Sequence, residues 1–324
     1  MRALITGAAG QDGTILSTML RRDGVDVIAV VKPGTPFDRY LTYVPDVEVH
    51  EVDLMDTDEL HKTVINACPT HIYNLGGFTA PAESWDKRDE VHVTNVEAVR
   101  ALLDACLQVG VQCRLFQASS SHIFEGTDRS PQDESFELSP ASPYAQSKAE
   151  ALTLVRAARD NEGVFAVSGI LYNHESPLRG ENFVTRKISM AVARIAAGMQ
   201  DVLELGDLDV ARDWGWAPDY VRGIRAMLEA DRPEDFVLAT GISHRLEFFV
   251  KRAFAAAGID DWRPFVRASA SDRPVDTNKM VGDSRRAYTE LGWRHSVGFD
   301  EMAATMVDFD RRLLRDSQEL WLDF

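Results

Sequence analysis

Tyr144 and Lys148 lie four residues apart in Ser142-Pro-Tyr-Ala-Gln-Ser-Lys148, a stretch that opens the helical pattern of residues 145–157. On a helix the two share one face. A phenol is a poor base, with an ordinary pKa of about 10. Beside an ammonium, and near a positively charged nicotinamide, its anion is stabilised and it takes a hydroxyl proton near neutrality. With a serine or threonine from an earlier strand end, such a pair is what removal of a hydride from a secondary alcohol requires. Gln117-Ala-Ser-Ser-Ser-His122, upstream, carries hydroxyls of that kind. Because the Tyr-x-x-x-Lys spacing is common on solvated helices, the surrounding elements must carry the assignment.

Those elements begin at once. Ala3-Leu-Ile-Thr6 reads as a buried parallel strand, followed by Gly7-Ala-Ala-Gly10-Gln11-Asp12-Gly13 and an amphipathic helix through Leu16, Met19 and Leu20. Glycines at those places serve a tight turn, close approach of backbone to a pyrophosphate and close packing of helix on strand. The phosphates then sit at the helix N-terminus. The second strand, Asp26–Val31, ends in Lys32-Pro-Gly34 with no acid to hold ribose hydroxyls, and its cation favours a 2′-phosphate, hence NADP over NAD. The third strand, residues 47–52, ends at Asp53-Leu54, where a carboxylate meets the adenine edge. A fourth, His71–Leu75, opens into Gly76-Gly-Phe-Thr79, whose bare backbone suits contact with the cofactor.

A long helix is expected over residues 90–110, then a fifth strand, Arg114–Ala118, delivering Ser119–His122 at its carboxyl end, where open α/β sheets bind ligands. With the Tyr144 helix and a strand over residues 164–171, strand and helix alternate for about 170 residues, which predicts a doubly wound parallel sheet. The second half is less regular. Asn173–Gly180 reads as a polar loop and residues 183–197 as a helix whose Arg186 and Lys187 oppose the helix dipole unless an anion is near, which points to a bound phosphate. Arg212 and Arg273 lie in further loops rich in tryptophan or charge.

Composition narrows the class. The 324 residues carry a formal charge of −16, which argues against nucleic acid or an anionic membrane as partner, so a phosphorylated ligand needs local cations. Three cysteines without CxxC spacing fit a reducing cytosol. No apolar run reaches the roughly 18 residues of a membrane span, no leader pattern precedes the first strand, and no metal-ligand spacing stands out. The expected setting is cytoplasmic.

Several segments together resemble the GDP-mannose 4,6-dehydratases of the extended short-chain dehydrogenase/reductase superfamily, over nearly the whole chain. They are Thr6-Gly-Ala-Ala-Gly-Gln-Asp-Gly13, Ile72-Tyr-Asn-Leu75, Phe116-Gln-Ala-Ser119, Ser142-Pro-Tyr144, Gly169-Ile-Leu-Tyr-Asn-His-Glu-Ser-Pro177, Phe183-Val-Thr-Arg-Lys-Ile188, Arg212-Asp-Trp-Gly215 and Arg273-Pro274. The resemblance implies a Rossmann-type α/β fold with a smaller C-terminal α/β substrate domain, divided as residues 1–172 and 173–324 and partly interleaved. It implies NADP held by Gly7, Gly10, Gln11, Asp12, Gly13, Lys32, Asp53, Leu54, Leu75 and Gly76 with Tyr144 and Lys148, where Lys32 replaces a family arginine. It implies a GDP-sugar, with GDP-mannose expected, contacted by Thr79, Asn173, Lys187, Arg212, Arg273 and Asp276.

In the implied reaction Tyr144, helped by Ser120 and Lys148, takes the C4 hydroxyl proton while hydride leaves C4. A glutamate removes the C5 proton, water leaves from C6, and hydride returns to C6. Here the glutamate position is His122, Phe78-Thr79-Ala80 replaces Gln-Ser-His, and Trp216 replaces a histidine. Dehydration is the family outcome. A 5-epimerase with His122 as C5 base, a C4 oxidoreductase or epimerase, and a non-catalytic dinucleotide sensor are the alternatives. The two long helices resemble the pair through which extended members dimerise. Residues 33–43, where the family's tetramer loop lies, look shortened, so a homodimer is expected and a tetramer is the alternative.

Overall fold

The computed structural model describes residues 1–110, 112–269 and 280–316. Its strands are β1 Arg2–Thr6, β2 Asp26–Val31, β3 Glu48–Glu51, β4 His71–Asn74, β5 Arg114–Ser120, β6 Phe165–Leu171, β7 Asn173–Glu175, β8 Leu203–Leu205, β9 Ala211–Trp216, β10 Phe236–Leu238, β11 Ser243–Arg245 and β12 Val266–Ala268. Its α-helices are α1 Gln11–Arg22, α2 Asp38–Tyr43, α3 Thr57–Ala67, α4 Arg88–His92, α5 Ala98–Val109, α6 Pro143–Glu162, α7 Val184–Ala196, α8 Ala217–Glu229, α9 Leu246–Ala256, α10 Arg285–Leu291 and α11 Phe299–Asp316.

Seven strands form one parallel sheet in the order β10-β6-β5-β4-β1-β2-β3. The apolar runs exist because neighbouring residues bury to opposite faces. Ala3, Ile5, Val27, Ala29 and Val31 join one cluster with Ile15 and Leu16 of α1 and Tyr220 and Ile224 of α8. Leu4, Ile28 and Val30 join the other with Leu60, Leu102 and Val155 of α3, α5 and α6. Helices cover both faces, as the Rossmann-type doubly wound expectation requires. The strand order reverses between β1 and β4, and the crevice at the carboxyl ends there is where such sheets bind ligands. β10, from the second half of the chain, closes one edge by pairing with β6. Two smaller sheets, β11-β9-β7 and β12-β8, lie in the C-terminal half.

Several local expectations change: Asn173–Glu175 and Ala211–Trp216, expected within loops, are the strands β7 and β9, because each pairs along the other. The single helix over residues 90–110 is α4 and α5 joined by a π-helical turn, Val93–Glu97, which carries the buried Asn95. Residues 33–43, short as a loop, include helix α2, fixed by the Tyr40 hydroxyl donating to Ser17 Oγ at 3.1 Å.

A third apolar cluster joins Ile188 and Val192 of α7, Phe249 and Val250 of α9, Met302 and Met306 of α11, and Trp214 and Trp216 of β9. The same layer corrects the phosphate reading of α7. Arg186 is buried and paired with the buried Asp310 of α11, whose other oxygen accepts from Ser189 Oγ at 2.7 Å. The anion that Arg186 needs is internal. Removing one member leaves an uncompensated buried charge, so Asp310→Ala should lower the unfolding free energy by about 3–5 kcal/mol. Arg186→Met with Asp310→Leu together should recover most of that loss in urea denaturation.

Candidate active site

The glycine loop is shaped by crowding. Gly7 turns at φ +65°, its carbonyl accepts from the Gly10 amide at 2.9 Å, and a Cβ at Gly13 would stand 2.4 Å from that carbonyl oxygen. A Cβ on Gly7 would meet the Gly76 nitrogen at 2.7 Å, so the β1 and β4 loops lie back to back. Gly10 caps α1 with no side chain, which leaves the first-turn amides clear for an anion. Leu54 closes the other side of Gly76, with Cδ1 2.9 Å from where a Cβ would be. These residues fit a dinucleotide whose pyrophosphate lies on the loop. Lys32 stands at the end of β2 with its side chain 60% exposed, and Asp53 lies 3.9 Å from its ammonium.

The strand ends are tied in series. Thr6 Oγ1 donates to Asn74 Oδ1 at 2.5 Å and accepts from the Gly76 amide at 3.0 Å. Asn74 Nδ2 donates to Gln117 Oε1 at 2.6 Å, and Gln117 Nε2 to the Ala118 carbonyl at 2.8 Å. Lys148 Nζ donates to the same carbonyl at 3.1 Å. The ammonium therefore does not touch the phenol. It lies 5.9 Å from the Tyr144 ring centre, under the Gly77 backbone. Asn95 holds that loop against α6: its Oδ1 accepts from the Phe78 amide at 2.8 Å and its Nδ2 donates to Ser147 Oγ at 3.0 Å.

Tyr144 is placed by the start of α6, where Ser142 Oγ accepts from the Ala145 amide at 3.2 Å and Pro143 occupies the first turn. Burial pushes the Tyr144 hydroxyl up, while a hydrogen bond from Ser120 and the Arg179 charge pull it back. Burial also brings Lys148 down to about 8. A lysine in that range and a phenol bonded to a serine, both within the protein, form a proton-transfer unit for an alcohol.

His122 follows on a 3-10 turn, Ser121–Phe124, that Ser120 caps by accepting from the His122 amide at 3.3 Å. Its ring stands edge to face with Tyr144, centres 5.5 Å apart. Its Nδ1 donates to Glu125 Oε2 at 2.6 Å. Glu125 was not singled out by the sequence, although His122-x-x-Glu125 at a spacing of three is a visible signal once a 3-10 turn is expected. Asn95 was missed too, because a π turn leaves no periodic mark.

Gln11 and Asp12 face the second half of the chain rather than only the loop. Gln11 Nε2 donates to the His174 carbonyl at 3.1 Å and Ser176 Oγ donates to Gln11 Oε1 at 2.9 Å. His174 donates from Nε2 to Asp12 Oδ2 at 2.9 Å and from Nδ1 to the Tyr172 carbonyl at 2.7 Å, and it stacks on Tyr220. Both ring nitrogens face acceptors, which selects the imidazolium. Burial opposes both charges, yet the pairing holds His174 above and Asp12 below their ordinary values.

Of the expected sugar-nucleotide contacts, Asn173 begins β7, Arg212 lies on the neighbouring β9, and Thr79 is exposed beyond the Gly76 loop. Lys187 Nζ donates to the Glu204 carbonyl at 2.7 Å. Arg273 and Asp276 lie outside the described residues. Trp216 is only 9% exposed, part of the third core cluster.

A family model described as GDP-mannose 4,6 dehydratase matches residues 4–306. GDP-mannose 4,6 dehydratase 2 of Arabidopsis thaliana is 35% identical, covering 98% of this chain and 89% of its own. GDP-mannose 4,6-dehydratase of Sinorhizobium fredii is 36% identical, covering 98% of each chain. Among solved structures, the UDP-glucose 4-epimerase of Thermus thermophilus in complex with NAD superposes with a TM-score of 0.84 at 26% identity, over 96% of this chain and 99% of that one.

The charged Asp12–His174 pair has a pH signature. A raised histidine contributes stability that is complete below its unfolded value of about 6.5 and is lost as pH rises through the folded value. A depressed aspartate contributes above about 3.9 and loses that as pH falls through its folded value. Denaturant midpoints taken from about pH 6 to about pH 9 should therefore fall, and fall less in Asp12→Asn. Parallel profiles in the two proteins would refute the charged pair.

Proposed function

The chain belongs to the GDP-mannose 4,6-dehydratase family, and from that premise we propose a division of labour among its residues: Tyr144, Ser120 and Lys148 handle the C4 hydroxyl, and His122 handles C5. The protein is an NADP-dependent lyase of the extended short-chain dehydrogenase/reductase superfamily acting on a GDP-hexose through a 4-keto intermediate. The observation that carries the assignment of roles is the convergence of Tyr144, Ser120, His122 and Lys148 at the carboxyl ends of β4 and β5, facing the glycine-bounded crevice.

GDP-mannose is the substrate this site takes. Its diphosphate meets Arg212 and Lys187, and its hexose reaches Thr79 and Tyr144. When bound, NADP would supply the hydride acceptor and donor that oxidation at C4 and reduction at C6 require. Tyr144 removes the C4 hydroxyl proton, with Ser120 holding the same oxygen. Lys148 keeps a positive charge beneath the phenol ring. The C4 ketone acidifies C5, His122 takes that proton, and the C6 hydroxyl leaves as water. Lys32 would meet the 2′-phosphate of NADP, with Asp53 and Leu54 on its adenine side. The enzyme works in the cytoplasm as a homodimer paired through α5 and α6. Among the described residues no helix is long and apolar enough to cross a membrane.

One observation favours a second outcome, 5-epimerisation. An imidazole replaces the family glutamate at 122; in that outcome it takes the C5 proton, another acid returns one on the opposite face, and C4 is reduced again. Mass measurement after incubation with GDP-mannose and NADP+ separates the two. Loss of one water is expected, an isomer of equal mass would mean epimerase, and unchanged GDP-mannose would defeat the substrate assignment. Tyr144→Phe should slow NADPH formation by about 10²–10⁴-fold. His122→Ala should retain that NADPH signal while losing deuterium uptake at C5 in heavy water.

A further inference from the structure

We propose that Glu125 is a positioning residue that holds His122 in a single tautomer, so that the base at C5 is a carboxylate-backed imidazole. This rests on the reading of His122 as the C5 base. Three observations carry it. In a 3-10 turn residues three apart eclipse, and Glu125, still in helical conformation at φ −64° and ψ −19°, stands directly behind His122. Its Oε2 lies 2.6 Å from Nδ1, while its Oε1 accepts from the Ala141 amide at 3.2 Å, so the carboxylate is itself anchored to the segment that starts α6. The side chain is only 17% exposed. Burial opposes its charge, but hydrogen bonds from His122, Ser142 and Ala141 hold the carboxyl below its ordinary range.

An ionised Glu125 can only accept, so Nδ1 keeps its hydrogen and Nε2 keeps its lone pair. No other described residue bonds to that nitrogen. The C5–H bond then breaks toward Nε2, and its electron pair passes into the C4 carbonyl as an enolate. The imidazolium that results lies against a carboxylate already in place, as in the carboxylate–histidine arrangement of serine hydrolases. As C5=C6 forms and the C6–O bond breaks, the Nε2 proton leaves with the hydroxyl as water, and His122 is neutral again. The acid of this site has thus moved one turn back, behind the group that meets the sugar.

Nitrogen-15 spectra of the NADP-bound protein labelled in histidine test the tautomer without turnover, with His122→Asn identifying the signal. The Nδ1–H form is expected for His122, and Glu125→Ala should give a mixture of tautomers. In heavy water with GDP-mannose, Glu125→Gln and Glu125→Ala should form NADPH within roughly threefold of the natural rate. Their C5 deuterium uptake should fall on the order of 10²–10⁴-fold, and Glu125→Asp should restore part of it. Normal C5 exchange in Glu125→Ala, or an unchanged tautomer, overturns this proposal alone. Equal loss of NADPH formation and C5 exchange would make Glu125 a brace of the α6 segment and also overturns it. No C5 exchange in the unsubstituted protein, with NADPH formed, removes His122 as base and this proposal with it.

Discussion

Thr6, Asn74 and Gln117 are cross-strand partners in one register line, and the hydrogen bonds running through them govern the active edge of the sheet. The line begins at the Gly76 amide and ends at the Ala118 carbonyl, which Lys148 also holds. All three side chains are buried, where a broken link would strand a polar group in a low dielectric. A slip of one residue in β4 would turn Asn74 to the opposite face and break every link. Strand register and catalytic geometry are thus one constraint.

A protein of net charge −16 that handles a dinucleotide and a sugar nucleotide solves its electrostatics locally. Arg186 is committed inside to Asp310, while Lys32 stands exposed at the end of β2. The acids near the reaction are committed as well. Asp12 is ion-paired with His174, and Glu125 accepts a hydrogen bond from His122. The crevice therefore offers a developing anion no unpaired carboxylate from these two residues.

Much of this was legible in the chain. Uninterrupted apolar strands between glycine-punctuated turns specify a parallel sheet covered on both faces, and the carboxyl ends of its strands locate Ser120, His122, Tyr144 and Lys148. What could not be read depends on distance across the chain. The partner of Arg186 lies 124 residues away, so an unfavourable charge in the first turn of a helix looked like a phosphate site. The π turn at Asn95 and the direct contact of Lys148 with a carbonyl rather than with the phenol are matters of backbone detail that composition does not encode. Trp216 occupies a position that the resemblance places beside the sugar, yet it packs with Ile188 and Phe249 in the third core.

Gln11 and Asp12 open α1 directly after the loop that would cradle the dinucleotide, yet their bonds go to His174 and Ser176, in and just after β7. A loop fastened to that neighbour cannot open by itself. Opening it means breaking the bonds that Gln11 and Asp12 make to the β7 segment, a cost that a dinucleotide leaving past this loop would meet. A reaction that takes a hydride and returns it in the same cycle has no use for fast exchange. Such a fastening would suit a coenzyme that stays through the cycle, held without a covalent bond.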